Sequence, residues 1–356
     1  MRLGSCAIHV ERGLISRIGA LATRYAPAHR YALVSDSNVE PIYGGKIEAA
    51  FPADTIYAVT VPAGEESKTR ESWAAITDRL IEKGFGRDSA IIAVGGGMIG
   101  DLAGFTAATF MRGVPVIQVP TTLLAMVDAS IGGKTGVDVP GGKNLVGSFH
   151  HPAAVLIDPQ VLATLPLKQL CAGFAEVIKC GVAADEGYFA RVREAVPALL
   201  AVSIEKSDEI QPLIVGAVGI KVRIVEQDER ESGIRKVLNF GHTIGHAVEL
   251  ITGYALLHGE AVAIGMAVES RLAERIGVAQ SGTTSRITEA LTAAKLPIEL
   301  PPQCKAQVMI DAMRSDKKTR EGTIRFALPR RVGEMARSGS DWSVPVTDEL
   351  IGEVLA

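Results

Sequence analysis

The run Ala90–Val94 ends in Gly95, Gly96 and Gly97, and Gly100 and Asp101 follow. A β-branched strand that opens a helix through a glycine turn needs a parallel sheet with crossover helices around it. The same turn brings backbone N–H groups to a helix N-terminus, where they can face a phosphate. The spacing departs from G-x-G-x-x-G, and a turn built for conformation alone uses the same residues. Similar runs lie on either side. Tyr31–Val34, Ile56–Val61, Val116–Val119 and Ala154–Asp158 are short, apolar and bounded by Gly, Pro, Asp or Ser, as buried parallel strands are. Between two of them, Lys68–Lys83 places Trp73, Ile76, Leu80 and Ile81 on one helical face. The expectation is an α/β, Rossmann-like parallel-sheet domain over residues 1–165.

From residue 166 the texture turns helical. Glu176–Gly187, Ser207–Gln227, Asn239–Ile251 and Gly259–Gly277 lack strand alternation and are rich in Ala, Leu, Glu, Lys and Arg. They predict a mainly α-helical C-terminal domain over residues 166–356. No Ser/Gly linker separates the halves, so they are expected to pack together with a ligand cleft between them. The chain has 356 residues, with 37 Lys plus Arg against 40 Asp plus Glu, a net charge of −3. That balance leaves no basic excess for a phosphate backbone, so no nucleic acid is expected as a partner. No membrane is expected either, because no apolar run approaches the roughly 20 residues that span a bilayer. The N-terminal residues lack the apolar core of a signal peptide. Cys6, Cys171, Cys180 and Cys304 form no CxxC pair and read as reduced thiols of a cytoplasmic protein.

Polar residues follow the strands. Asp36 and Asn38 come after the first run, and Gly64, Glu65 and Lys68 after the second. Loops at the carboxyl ends of parallel strands are where open α/β sheets bind ligands, although helix capping uses the same residue types. Gly132, Gly133 and Lys134, then Gly141, Gly142, Lys143 and Asn144, set two lysines in glycine frames. Such lysines suit a phosphate, or else are solvated turns. His242 and His246 lie at i, i+4 on one helix face, as in H-E-x-x-H but without its Glu. His258 follows near Glu260, and Glu176 and Lys179 stand at i, i+3 in an apolar setting. Three histidines with an available carboxylate point to a divalent-metal site, for which three protein ligands and an open position are usual. The spacing leaves open which three side chains ligate.

The stretches Gly95–Gly104, Arg112–Lys143, Glu176–Lys179 and Leu238–Glu260 occur in the order found in one family. Within them, Val119–Asp128 and Asn239–Glu249 are the most specific. On these motifs the chain resembles the 3-dehydroquinate synthases, sugar-phosphate cyclases of the shikimate pathway, from about Val34 to Leu328. The resemblance implies Glu176, His242 and His258 as ligands of Zn2+ or Co2+, with His246 in the pocket as a substrate-contacting or proton-transferring group. It implies that Gly64, Glu65, Lys68, Gly96, Gly97, Gly100, Asp101, Thr121, Thr122 and Thr164 line NAD, with Asp36 and Asn38 in the polar loop nearby. Lys134 and Lys143 would stand near nicotinamide and substrate. Arg112, Asn144, Lys179, Lys221, Arg235, Asn239 and Lys317 would bind the substrate's carboxylate, hydroxyls and phosphate, Arg112 across a homodimer interface. Asp128 would be a polar pocket residue.

The implied reaction converts 3-deoxy-D-arabino-heptulosonate 7-phosphate into 3-dehydroquinate and phosphate. It combines oxidation by NAD, phosphate elimination, re-reduction and an intramolecular aldol closure, and it serves aromatic amino acid biosynthesis. Two other enzymes of the superfamily fit less well. A sister cyclase acting on another sugar phosphate would alter the groups that read the carboxylate, whereas Arg235, Asn239 and His246 are intact. A metal-dependent polyol dehydrogenase would not need the lysine-rich phosphate pocket. A non-catalytic NAD-binding protein would have no use for Glu176, His242 and His258 together.

Overall fold

The structure is a computed structural model that describes residues 1–201, 204, 207–315 and 323–355. The chain forms two compact units, Met1–Leu165 and Pro166–Ala356.

The first unit contains strands β1 (Arg2–Leu3), β2 (Cys6–Val10), β3 (Arg30–Asp36), β4 (Ile56–Val61), β5 (Ser89–Gly95), β6 (Val116–Pro120), β7 (Lys134–Val139), β8 (Gly142–Phe149) and β9 (Ala154–Ile157). Its helices are α1 (Ile18–Tyr25), α2 (Glu40–Glu48), α3 (Arg70–Glu82) and α4 (Gly97–Thr109). Seven strands form one sheet in the order β1-β2-β9-β6-β5-β3-β4. All its pairs are parallel except β1 with β2. β5 lies inside this sheet between β3 and β6, and every one of its residues is buried. That is why Ala90–Val94 carries no polar alternation. Ile76 and Leu80 of α3, with Ile99 and Leu102 of α4, pack against Val34 and Ile91 of the sheet. The glycine–lysine pairs, which the sequence offers as phosphate-binding frames or as solvated turns, belong to a separate antiparallel hairpin of β7 and β8. It is tied to the loop after β4 by the Asp138 N–H, which donates to the Lys68 carbonyl at 2.7 Å.

The second unit is built from α5 (Leu167–Ala184), α6 (Glu186–Leu199), α7 (Ile210–Gln227), α8 (His242–Ile251), α9 (His258–Arg275), α10 (Thr283–Ala293), α11 (Ala306–Ser315) and α12 (Asp348–Leu355). Short strands β10 (Ile324–Phe326) and β13 (Val344–Val346) pair antiparallel, as do β11 (Pro329–Arg331) and β12 (Glu334–Met335). Its core packs Ile244 and Val248 of α8 with Ile264 and Val268 of α9, Met309 of α11 and Phe326.

Two of the helix boundaries that differ from the sequence expectation have a clear local cause. The pattern over Glu176–Gly187 breaks at Asp185, whose carboxylate accepts from the Tyr188 N–H at 2.9 Å and starts α6. The helix expected from Asn239 begins at His242, because Gly241 takes a left-handed φ of 81°. α8 then meets α9 backbone to backbone. A Cβ on Gly265 would stand 1.9 Å from the Gly241 carbonyl oxygen.

Candidate functional site

In the first unit, β5 delivers Gly95 and Gly96 directly to the start of α4 at Gly97. No side chain caps α4, so its first-turn N–H groups remain available to a ligand. Neighbouring side chains approach this turn closely. A Cβ on Gly96 would lie 3.2 Å from Thr122 Cγ2, and one on Gly97 3.2 Å from Ala129 Cβ. Thr121 lies beside Gly95, its N–H donating to the Gly95 carbonyl at 2.9 Å. Its Oγ1 is buried without a hydrogen-bond partner. An orphaned buried hydroxyl beside a glycine turn fits a ligand with polar atoms, as NAD has.

Lys68 is buried among three carboxylates, with Nζ 2.8 Å from Glu65, 3.2 Å from Asp101 and 3.7 Å from Asp138. Burial works against its charge, but Asp101, Glu65 and Asp138 outweigh that and raise its pKa. Asp101 is pushed up to about 6, chiefly by burial, against the opposing pull of Lys68. The 3.9 Å approach of Lys143 to Glu65 adds a second cation to the cluster. Asp138 also accepts the Asn144 N–H at 2.8 Å, holding Asn144 at a φ of 54°.

Several other expected residues have local structural uses. Asp36 accepts the N–H groups of Asn38 and Val39 at 2.9 and 3.1 Å, turning the chain into α2, and Asn38 itself is exposed. Thr122 accepts the Ala125 N–H at 3.1 Å, and Thr164 shares a 2.8 Å hydrogen bond with Tyr43. Gly64, with a φ of 115°, precedes the turn that carries Glu65. Gly100 lies on α4 against Gln118, whose amide donates to its carbonyl at 2.9 Å. Lys134 is exposed at the start of β7, and Asp128 sits in the π-helical turn Ala125–Ala129. Arg112 is exposed at a φ of 69°, after Met111 at 51°.

In the second unit, α5, α8 and α9 bring Glu176, His242 and His258 together, with their candidate ligand atoms all within 4.8 Å of one another. Glu176 is 0% exposed, and neither carboxylate oxygen accepts a hydrogen bond. Glu176 Oε1 lies 3.7 Å from His242 Nε2 and 3.8 Å from His258 Nε2, and its Oε2 contacts the Lys179 ammonium. A fully buried carboxylate is costly unless cations compensate it; the Lys179 ammonium does so at Oε2, while Oε1 faces the two histidines. One oxygen and two imidazole nitrogens suit zinc or cobalt. The side chains present therefore fit a divalent metal.

The i, i+4 pair contributes differently from what its spacing invites. His246 lies with its ring centroid 5.4 Å from that of His242 and 6.3 Å from that of His258. It belongs to an overlapping group with Glu249 and His258. Glu249 Oε1 is 3.5 Å from His258 Nδ1. Burial disfavours the His258 cation, yet Glu249 and Glu176 outweigh it and raise the pKa of the ring. Glu249 was not singled out as a site residue from sequence, although it closes the Asn239–Glu249 motif.

Lys179, Lys221 and Arg235 are buried. Arg235 donates to the Glu229 carbonyl, and Asn239 donates its amide to Glu231. Asp228 organises this loop by accepting the N–H groups of Ser232, Gly233 and Arg235 at 3.0, 2.7 and 3.0 Å. Lys317 lies outside the described residues.

Comparison with known proteins adds to this geometry. Residues 58–172 match the family described as 3-dehydroquinate synthase N-terminal, and residues 173–319 match 3-dehydroquinate synthase C-terminal. A 3-dehydroquinate synthase from Symbiobacterium thermophilum is 45% identical over 332 residues, covering 92% of each chain. Among solved structures, 2-epi-5-epi-valiolone synthase from Streptomyces hygroscopicus, with NAD+ and Zn2+ bound, has a TM-score of 0.88 at 29% identity, covering 100% of this chain and 97% of its own. A 2-deoxy-scyllo-inosose synthase with carbaglucose-6-phosphate, NAD+ and Co2+ has a TM-score of 0.87 at 26% identity, covering 98% and 95%.

Proposed function

The chain belongs to the 3-dehydroquinate synthase family, and from that premise we propose how its own residues convert 3-deoxy-D-arabino-heptulosonate 7-phosphate into 3-dehydroquinate and phosphate. It is an enzyme of the lyase class with a role in the shikimate pathway. The observation that carries the reading is the buried Glu176 carboxylate, free of hydrogen bonds and faced by two histidines.

Glu176, His242 and His258 hold the metal, and the Gly95–Gly97 turn with Thr121 holds NAD. When bound, the metal would supply Lewis-acid polarisation of a substrate hydroxyl, and NAD would supply reversible hydride acceptance. The chain's own contribution is charge and orientation. Lys179 holds its ammonium beside Glu176, so a substrate oxygen near the metal meets a second positive group. His246 offers a ring nitrogen beside His242 for holding or passing a proton. Lys221, Arg235, Asn239 and Lys317 bind the anionic and hydroxyl groups of the substrate. Family resemblance assigns Lys134, Asn144 and Asp128 to substrate binding as well, and Arg112 to the substrate of the partner in a homodimer. Lys68 anchors Glu65 and Asp101 beside the nucleotide turn, and Lys143 meets the same Glu65. Thr122, Thr164, Gly64, Gly96, Gly97, Gly100, Asp36 and Asn38 complete the NAD-binding surface. The proposed compartment is the cytoplasm. Among the described residues, no helix is long and apolar enough to cross a membrane.

The test is turnover of purified protein with the heptulosonate phosphate, catalytic NAD and zinc, following phosphate and absorbance at about 340 nm together. One phosphate per substrate without net NADH, abolished by a chelator, is the expected result. Net NADH from polyols would replace the reading with a dehydrogenase. Phosphate released only from a different sugar phosphate would make the chain a sister cyclase.

A further inference from the structure

Among the described residues, the most deeply enclosed carboxylate that this mechanism leaves unused is Glu269 on α9, which is 0% exposed. Its Oε2 accepts the Gly241 N–H at 2.6 Å, and its Oε1 accepts the Ile244 N–H at 3.0 Å. These donors bracket His242, the first residue of α8. Gly241, the residue before the helix, has no side chain with which to cap it. The cap therefore comes from another helix, and it comes as a carboxylate enclosed in the core. Such a group is costly to bury unless its charge is compensated. Two N–H groups at the positive end of a helix provide compensation. The joint is also tight, since Gly265 leaves no room for a Cβ against the Gly241 carbonyl.

We propose that Glu269 is a positioning residue for the metal centre, fixing the N-terminus of α8 to α9 so that His242 and His258 keep their separation. This rests on the reading of His242 as a ligand. A helix cap chosen for stability alone is ordinarily a short polar side chain at the residue before the helix, exposed to solvent. Here the cap joins the helix that starts at His242 to the helix that starts at His258.

The experiment compares Glu269→Gln with Asp185→Ala in the full chain. The first keeps the side chain's size but turns an amide N–H toward one of the two backbone donors. The second removes the cap of α6, a helix that carries none of the three ligands. Zinc affinity is measured by chelator competition, the visible absorption of the cobalt-loaded protein is recorded, and thermal unfolding is followed without metal. Glu269→Gln is expected to weaken zinc binding about ten- to hundredfold and shift the cobalt bands, as losing a group that orients a ligand does. Asp185→Ala is expected to lower the unfolding temperature while keeping wild-type zinc affinity and bands. Wild-type affinity and bands in Glu269→Gln would overturn the proposal and leave Glu269 as a cap. If Glu269→Gln does not fold, Glu269→Asp takes the same measurements, with the same outcomes deciding. Glu176→Gln tests the underlying ligand set separately. Full zinc affinity in that variant would remove the ligand assignment itself, whatever Glu269→Gln shows.

Discussion

Replacing Gly265 by alanine probes how closely α8 and α9 must approach for the histidines to act together. The added Cβ would stand 1.9 Å from the Gly241 carbonyl oxygen, 2.7 Å from its carbonyl carbon and 2.9 Å from the Gly245 nitrogen. All three are backbone atoms, so no rotamer change relieves the clash. Ordinary contact begins at 3.4 Å, and 3.4 − 1.9 = 1.5 Å is the separation to be recovered at the closest atom. Overpacking of a core costs about 1–3 kcal/mol, and a backbone clash belongs at the upper end. Alanine's better helix propensity returns about 1 kcal/mol, so a net loss of roughly 2 kcal/mol is expected. The effect on metal should be larger in proportion. Metal–ligand distances tolerate only about ±0.2 Å, far less than the displacement required between the helix of His242 and that of His258. Zinc affinity measured by chelator competition should fall at least about tenfold, in line with losses from disturbed ligand orientation. Gly352→Ala on α12 is the control, because nothing lies within 4 Å of its added Cβ. It should keep zinc affinity and raise stability by up to about 1 kcal/mol. A folded Gly265→Ala protein with wild-type zinc affinity would refute the argument that the close helix contact sets the ligand geometry.

Thr121→Val removes the buried hydroxyl that lacks a partner and keeps the side chain's shape. NAD-free stability should hold or rise by about 1 kcal/mol while NAD affinity falls by a similar free energy, read by unfolding and by titration calorimetry. Unchanged NAD affinity would remove Thr121 from the nucleotide site. For Asp101, a folded pKa of about 6 lies above the ordinary aspartate value of 3.8. The folded state therefore keeps the proton longer than the unfolded state does, and wild-type stability falls as pH rises from about 4 to about 6. Asp101→Asn should accordingly gain about 1 kcal/mol on the wild type between pH 5 and pH 8 in denaturant unfolding, a figure for a partly solvated group. A relative loss over that range would show that the attraction of Lys68 outweighs burial.

What could be read along the chain was what local chemistry determines. Ala90–Val94 is a continuous apolar run because β5 is covered on both faces, and Ile76 and Leu80 mark the inner face of α3. The β7–β8 hairpin escaped because no residue of the strand Gly142–Phe149 is buried and it begins in glycine, so its alternation is weak. β2 joins the sheet beside β9, a pairing between residues near 8 and near 155 that no local pattern announces. The histidine spacing identified a helix face but not the candidate ligand group, since Glu176 reaches His242 and His258 from a different helix. Glu269 was invisible for the same reason. Its partners are the backbone of Gly241 and Ile244, which carry no side-chain signature. The family motifs supplied the grouping that spacing left open.

A metal ion held by the buried Glu176 carboxylate would tie the durability of the second unit to the supply of metal. An ion that binds only the folded chain stabilises it by mass action, by about 2.7 kcal/mol when the free ion is a hundredfold above its dissociation constant. At roughly 2–4 °C per kcal/mol for a unit of this size, that corresponds to about 5–10 °C in melting temperature. Metal scarcity would then reduce the amount of folded enzyme as well as the fraction that is active. Residues that hold the ion would influence turnover in the cell through survival as well as through chemistry.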